Sequence, residues 1–243
     1  SSGGSMSHEL GRVRARHVEL PLAVKRPLRM LRNGDALADL INRDGVDLVH
    51  ARSRAPAWSA LSAARRTSKP FVTTFHNAYG HNWLKHYYNA VMGKGDRVIA
   101  ISEFVADHVR ETYGVGDDRL VTIHRGIDTE LFDPENVSAE RIIQIAKAWR
   151  MDDDRPVIML PGRLTSWKGQ AVLIEALSIL GRRDIRCVLV GGDQGRTGYR
   201  GELEGMVRRQ GLDQVVRLAD YCPDMAAAYM LADVVVSAST RPE

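Results

Sequence analysis

Eight short apolar, mostly β-branched runs recur along the chain, each separated from the next by a longer polar or helical stretch. They are Val46-Asp47-Leu48-Val49, Phe71-Val72-Thr73-Thr74-Phe75, Arg97-Val98-Ile99-Ala100, Leu120-Val121-Thr122-Ile123, Val157-Ile158-Met159-Leu160, Cys187-Val188-Leu189-Val190, Val215-Val216-Arg217-Leu218 and Val234-Val235-Val236. Runs that are apolar on both faces and alternate with helices belong in parallel sheets covered on both sides, which sets the class as α/β. Helix starts are marked by Pro56 in a first turn before Trp58 and Leu61, and by Ser102 as an N-cap before Val105 and Val109. Leu203, Met206 and Val207 mark a further helix, and no repeat of solenoid period appears.

The rhythm breaks between Ile123 and Val157. Gly126-Ile127-Asp128, Asp133-Pro134 and Asp152-Asp153-Asp154 there surround one helix near Ser138 to Trp149. Turn formers and a lone helix between two α/β blocks suggest an interdomain connection. The expected division is a first Rossmann-like domain over 1–154, with the linker at about 124–154, and a second over 155–243. Ligands of open parallel sheets bind at the carboxyl edges of the strands, so the two edges are expected to face one another across a crevice. Ser1-Ser2-Gly3-Gly4 reads as the loop leaving an absent strand, and Thr240-Arg241-Pro242-Glu243 directly follows an apolar one. The chain therefore reads as an internal piece of a longer protein, of doubtful activity alone.

At 243 residues, 44% hydrophobic and 26% charged, the composition is that of a folded protein with one large or two modest domains. No apolar stretch approaches the roughly 20 residues that cross a bilayer, and no segment resembles a signal peptide, so the expected location is cytoplasmic. Cys187 and Cys222 lack metal-type spacing and read as buried reduced thiols. The net charge of +4 belongs to the first half: up to Pro134 there are 19 Lys and Arg against 15 Asp and Glu, and beyond it 15 against 15. Arg12, Arg14, Arg16, Lys25, Arg26, Arg29 and Arg32 concentrate the excess. They make either a solvated basic face or a peripheral contact with anionic lipid or an anionic acceptor on the inner face of the cytoplasmic membrane. Nucleic acid is not expected as a partner, because no aromatics interleave with these charges.

The chemistry concentrates at Gly162-Arg163-Leu164-Thr165-Ser166-Trp167-Lys168-Gly169, between the run ending at Leu160 and a helical pattern at Leu173, Ala176, Leu177 and Leu180. Strand, glycine-bounded loop and helix start set a guanidinium and an ammonium at a sheet edge that already favours anions. Arg gives a planar fork of donors and Lys a compact charge, enough to meet both phosphates of a diphosphate without a metal. Gly191-Gly192, after another strand, lets backbone approach a ligand. His50 and His76 both end strands, and Arg52 and Arg54 after His50 form a basic loop that either touches an acceptor or is plain surface. Asp152-Asp153-Asp154 precedes a strand and reads as a solvated turn rather than a metal site. A Gly-x-Ser-x-Gly elbow and a Walker loop are absent.

This Arg-x4-Lys-Gly loop resembles the nucleotide-sugar loop of retaining glycosyltransferases of the GT-B fold, specifically glycosyltransferase family 4, and the likeness extends over nearly the whole chain. The resemblance implies two Rossmann-like domains, a nucleotide-diphosphate sugar as donor, no cofactor or metal, and retention at the anomeric carbon. It implies that Arg163 and Lys168 hold the departing diphosphate, with Gly162, Gly191 and Gly192 alongside, and that His76 contacts the donor sugar. Gly126-Ile127-Asp128 resembles the family's Gly-Val-Asp segment, with Asp128 read as a turn cap. Tyr221 falls where such enzymes approach the base through main-chain groups. Glu243 matches the first glutamate of a Glu-x7-Glu motif whose second member would lie past the last residue. The acceptor implied is a glycan or lipid-linked one, of lipopolysaccharide or another envelope polymer. A nucleotide-sugar 2-epimerase of the same fold and a non-catalytic nucleotide-sugar-binding module remain alternatives.

Overall fold

The computed structural model describes residues 3, 7–79, 83–151, 153–195 and 197–241, with the side chains of residues 8 and 9 left aside. Contacts divide the chain into two compact units, 1–125 and 126–242. In the first unit, helices α1 (Ser7–Arg12) and α2 (Pro27–Asp44) precede β1 (Val49–Ala51), α3 (Arg54–Arg66), β2 (Phe71–Phe75) and α4 (Trp83–Asn89). Then follow β3 (Arg97–Ala100), α5 (Glu103–Tyr113) and β4 (Leu120–Thr122). The four strands form one parallel sheet in the order β1-β2-β3-β4.

The first run is displaced from its expected place. Gly45 takes the left-handed conformation as the cap of α2, and the Val46 amide donates back to the Ile41 carbonyl at 3.0 Å. Val46 therefore closes the helix, and pairing with β2 begins only at Val49. Ser102 caps α5 as expected, its hydroxyl accepting from the Val105 amide at 3.3 Å. Phe75, Val91, Met92 and Val98 are fully buried at the centre of this unit.

The second unit runs α6 (Ala139–Trp149), β5 (Val157–Pro161), α7 (Gln170–Leu180), β6 (Arg186–Val190), α8 (Thr197–Arg209), β7 (Val216–Ala219), α9 (Met225–Leu231) and β8 (Val234–Val235). Its sheet is also parallel, in the order β7-β6-β5-β8. Side chains of β5 and β6 alternate between two cores: Leu160, Cys187 and Leu189 with α7 and α8 on one face, Val157, Met159, Val188 and Val190 with Trp149 on the other. That two-sided burial is why these runs read as continuous apolar stretches.

Residues 126–154 belong by contact to the second unit. Their helix α6 lies against α9, and Arg141 donates twice to Asp224, at 2.7 and 2.8 Å. Asp128 accepts from the amides of Glu130 and Leu131 at 3.1 and 2.9 Å, the turn-capping role expected of it. Asp153 pairs with Arg155 and Arg186, which hold its carboxyl well below the usual carboxylate range, while Asp152 lies outside the described residues. Both cysteines are buried and free, and burial pushes the Cys187 thiol up to about 12.

Candidate nucleotide-sugar and acceptor sites

In the second sheet the strand order reverses at β5, which has β6 on one side and β8 on the other. A crevice for ligand opens at such a switch point, outside the carboxyl ends of the strands. The loop Gly162–Gly169 leaves β5 at this point. It is pinned on both flanks: the Gly162 amide donates to Val190 (2.8 Å), the Leu164 amide to Gly192 (3.2 Å), and the Thr240 amide, past β8, to Trp167 (2.8 Å).

Two glycines permit this closeness. A Cβ at Gly191 would sit 2.1 Å from the Gly162 carbonyl oxygen, and one at Gly169, where φ is +76°, would sit 1.8 Å from that of Ala238. Gly192 differs, with no atom within 4 Å of its Cβ direction. Lys168 ends a short 3-10 turn, and its aliphatic stem lies over Gly162, within 3.5 Å of a Cβ placed there. Arg163 is exposed, its guanidinium 3.5 Å from the Gln194 side-chain oxygen. The site thus offers one flexible fork and one cation whose stem is laid along the glycine floor, a geometry suited to adjacent phosphate groups.

Gln170, immediately after the loop, escaped the sequence reading. It is 0% exposed, donates from Nε2 to the Arg163 carbonyl at 2.9 Å, and leaves its Oε1 without a hydrogen bond. It fixes the main chain that presents Arg163. The signal available in the sequence was a long polar residue at the first position of a mostly apolar helix. Tyr221 lies just past β7 and is 79% exposed, and Glu243 lies outside the described residues.

In the first unit, His76 sits one residue past β2, between two arginines. Arg52 donates from Nε to His76 Nε2 at 3.4 Å, and Arg125 Nη2 lies 3.0 Å from Nδ1. A guanidinium only donates, and a neutral imidazole has one lone pair to offer, so one of these contacts at a time can be a hydrogen bond. Protonation would remove both. Burial lowers the His76 pKa, and Arg52, Arg125 and His50 lower it further, so the ring is held neutral. His50 is lowered likewise by burial and then by Arg52, and its Nε2 lies 2.7 Å from the Thr74 hydroxyl.

Neither Arg52 nor Arg125 pairs with a described carboxylate. Arg125 was not singled out from sequence; its place directly before Gly126-Ile127-Asp128 was the available hint. Arg54, expected on a loop beside Arg52, is instead the first residue of α3 and lines a separate cavity. Among the described residues no group of three or more His, Cys, Asp or Glu side chains is placed to hold a metal ion. None of the described helices is long and apolar enough to cross a membrane.

Comparison with known proteins gives the family and the fold. Residues 1–131 match the model of Glycosyltransferase Family 4, and 155–243 that of Glycosyl transferases group 1. A glycosyltransferase from Rickettsia africae superposes with a TM-score of 0.87 at 36% identity, over 99% of this chain and 64% of that one. HepE of Anabaena, solved in complex with UDP and glucose, superposes with a TM-score of 0.83 at 21% identity, over 99% and 65%. The D-inositol 3-phosphate glycosyltransferase of Xylanimonas cellulosilytica is 29% identical over 219 residues, 78% of this chain and 49% of that protein. The chain spans about half the length of that curated relative. Two parallel sheets in this order, the matched models and these superpositions place the chain, with a GT-B fold, in glycosyltransferase family 4.

Proposed function

We propose that this chain belongs to a glycosyltransferase that moves a sugar from a nucleotide diphosphate to an acceptor hydroxyl with retention. The observation that carries the reading is the Gly162–Gly169 loop at the switch point of the second sheet, with the Lys168 stem on Gly162 and the Arg163 main chain fixed by Gln170. Relatives named as glycosyltransferases, and HepE with its bound UDP and glucose, support a uridine nucleotide as the first donor to try.

In the reaction, the bond from the anomeric carbon to the diphosphate oxygen breaks and the diphosphate keeps the electron pair. The acceptor oxygen bonds to the same face of that carbon, and its proton passes to the leaving phosphate. Arg163 and Lys168 stabilise the charge growing on the diphosphate, so no divalent ion is needed for that task. Neutral His76 orients the sugar, and Arg52 and Arg125 hold the ring in place. The acceptor is an envelope glycan or its lipid-linked precursor at the inner face of the cytoplasmic membrane. Exposed Leu28 and Leu31, set among Arg29 and Arg32 on α2 and Arg26 just before it, support contact with an anionic bilayer.

Calorimetric titration with UDP, GDP and ADP in metal-free buffer tests the donor site. One nucleotide is expected to saturate the protein, and Lys168→Ala to cost about 1.5–3 kcal/mol of that affinity. A folded protein that takes up no nucleotide, or a Lys168→Ala variant that binds as the parent does, would overturn the reading.

A further inference from the structure

The loop that leaves β6 carries a strained residue in a conformation its neighbours reserve for glycine. Gln194 holds φ at +55°, in the left-handed region that side chains rarely adopt. Glycine takes that conformation freely, and the chain sets Gly191, Gly192 and Gly195 around it. Gln194 is exposed, so burial does not call for its side chain. Strain kept at one position of a loop otherwise built from glycine points to a task for the side chain there. What that side chain meets is Arg163, on the loop after β5: its Oε1 lies 3.5 Å from Nη1, within hydrogen-bond reach.

The acids of this edge are turned elsewhere. Asp193 directly precedes Gln194, yet its Oδ1 accepts from the Gly195 amide at 2.8 Å and its Oδ2 lies 3.8 Å from Arg200 Nε. Arg200, on α8, also pairs with Glu204 at 3.7 Å and with Asp220 just past β7. One arginine thus gathers three carboxylates, and none of the described carboxylates pairs with Arg163. An acid facing Arg163 would hold it more tightly and cancel its charge, whereas a neutral amide orients the guanidinium and leaves the charge whole. Only one of its five N–H groups is engaged in this way, so the others stay open to phosphate oxygens.

The two loops are also tied through their main chains. The Leu164 amide donates to the Gly192 carbonyl at 3.2 Å, and Gln170 holds the Arg163 carbonyl at 2.9 Å. With both backbones fixed, the direction of the Arg163 side chain is what remains to be set. We propose that Gln194 is a positioning residue for the donor diphosphate: from its strained turn it holds the Arg163 guanidinium at the mouth of the loop with its charge intact. The inference rests on the donor-site reading given above.

The test sets Gln194→Gly and Gln194→Glu beside the parent, in urea titrations and in calorimetry with whichever of UDP, GDP and ADP saturates the parent. Gln194→Gly removes the side chain and the strain together. Its urea midpoint is expected at or above the parent's, while the nucleotide binds about three-fold or more weakly. A role in the fold alone would lower both. Gln194→Glu keeps the reach but sets a carboxylate against the guanidinium, so it is expected to bind more weakly still at low salt and to recover as salt is raised. In an Arg163→Ala background, Gln194→Gly is expected to cost no further affinity, because its effect passes through that guanidinium. Nucleotide binding by Gln194→Gly equal to the parent's, a urea midpoint that falls with the affinity, or a further loss in the Arg163→Ala background overturns the proposal. Lys168→Ala separates the two readings. If it weakens binding while Gln194→Gly does not, the role of Gln194 fails alone; a folded parent that takes up no nucleotide sinks the donor site and this role together.

Discussion

His76 illustrates how a residue acquires its properties from neighbours that a linear reading does not supply. Its position past a strand was legible, but the two arginines that approach both ring nitrogens come from 24 residues before and 49 after it. Burial and those charges lower its folded pKa, so the unfolded chain takes up its proton first as pH falls. The unfolded state then binds more protons, and stability declines from about pH 6.5, the ordinary histidine value, down to the lowered folded value. Above that window the contribution is fully present. His76→Gln is therefore expected to flatten the loss of stability between about pH 7 and pH 5 in urea titrations. An unchanged slope would mean that the ring titrates normally in the folded protein. A second expectation concerns the glycine pair after β6. Gly191→Ala forces a methyl group into the Gly162 carbonyl and is expected to cost at least about 1–3 kcal/mol of stability. Gly192→Ala, with open space around it, is expected to leave the urea midpoint where it was.

At the scale of elements, the apolar runs gave the strands because a strand covered on both faces has little choice of residue. All eight runs contribute a parallel strand, and Ser102 opens α5 as read. What escaped was set by hydrogen bonds between segments. Val46 looks like strand and closes a helix, since the left-handed Gly45 turns its amide back onto Ile41. Helix α6 looks like part of a linker because its partner α9 lies 83 residues on, at Asp224. That aspartate both caps α9, accepting from the Ala227 amide at 3.1 Å, and takes two bonds from Arg141. Asp224→Ala is expected to destabilise the second unit by about 1 kcal/mol or more through the lost cap alone. Asp224→Asn, which keeps the capping oxygen, is expected to recover part of that loss in denaturant titrations. Equal losses for the two variants would assign the whole effect to the ion pair.

For the whole molecule, the consequence of two units with separate cores is that the protection a ligand gives can be read unit by unit. Charge divides with them: residues 1–125 hold 19 Lys and Arg against 12 Asp and Glu, and residues 126–242 hold 15 against 17. The basic character read in the first half is thus a property of one folded unit, and the second is mildly acidic apart from its Gly162–Gly169 loop. A nucleotide present at 100 times its dissociation constant adds about 2.7 kcal/mol to whatever it binds. Hydrogen exchange with saturating UDP is therefore expected to slow amides of β5, the loop after it and α7, and to leave β1 to β4 at their own rates. Slowing confined to the first unit would place the nucleotide elsewhere. Of the candidate site, the loop Gly162–Gly169 was readable because it is contiguous in sequence. The cluster of Arg52, His76 and Arg125 was not, being gathered from three stretches of chain.

The unequal surroundings of Gly191 and Gly192 bear on how a saturation library of this protein should be scored. Fitness collapse at Gly191 is built in by the Gly162 carbonyl, and it would look like ligand contact in any screen that reads activity alone. Gly192 is the informative neighbour. Because its methyl group would meet nothing in the protein, a dead but folded Gly192→Ala clone reports the substrate itself passing over that strand end.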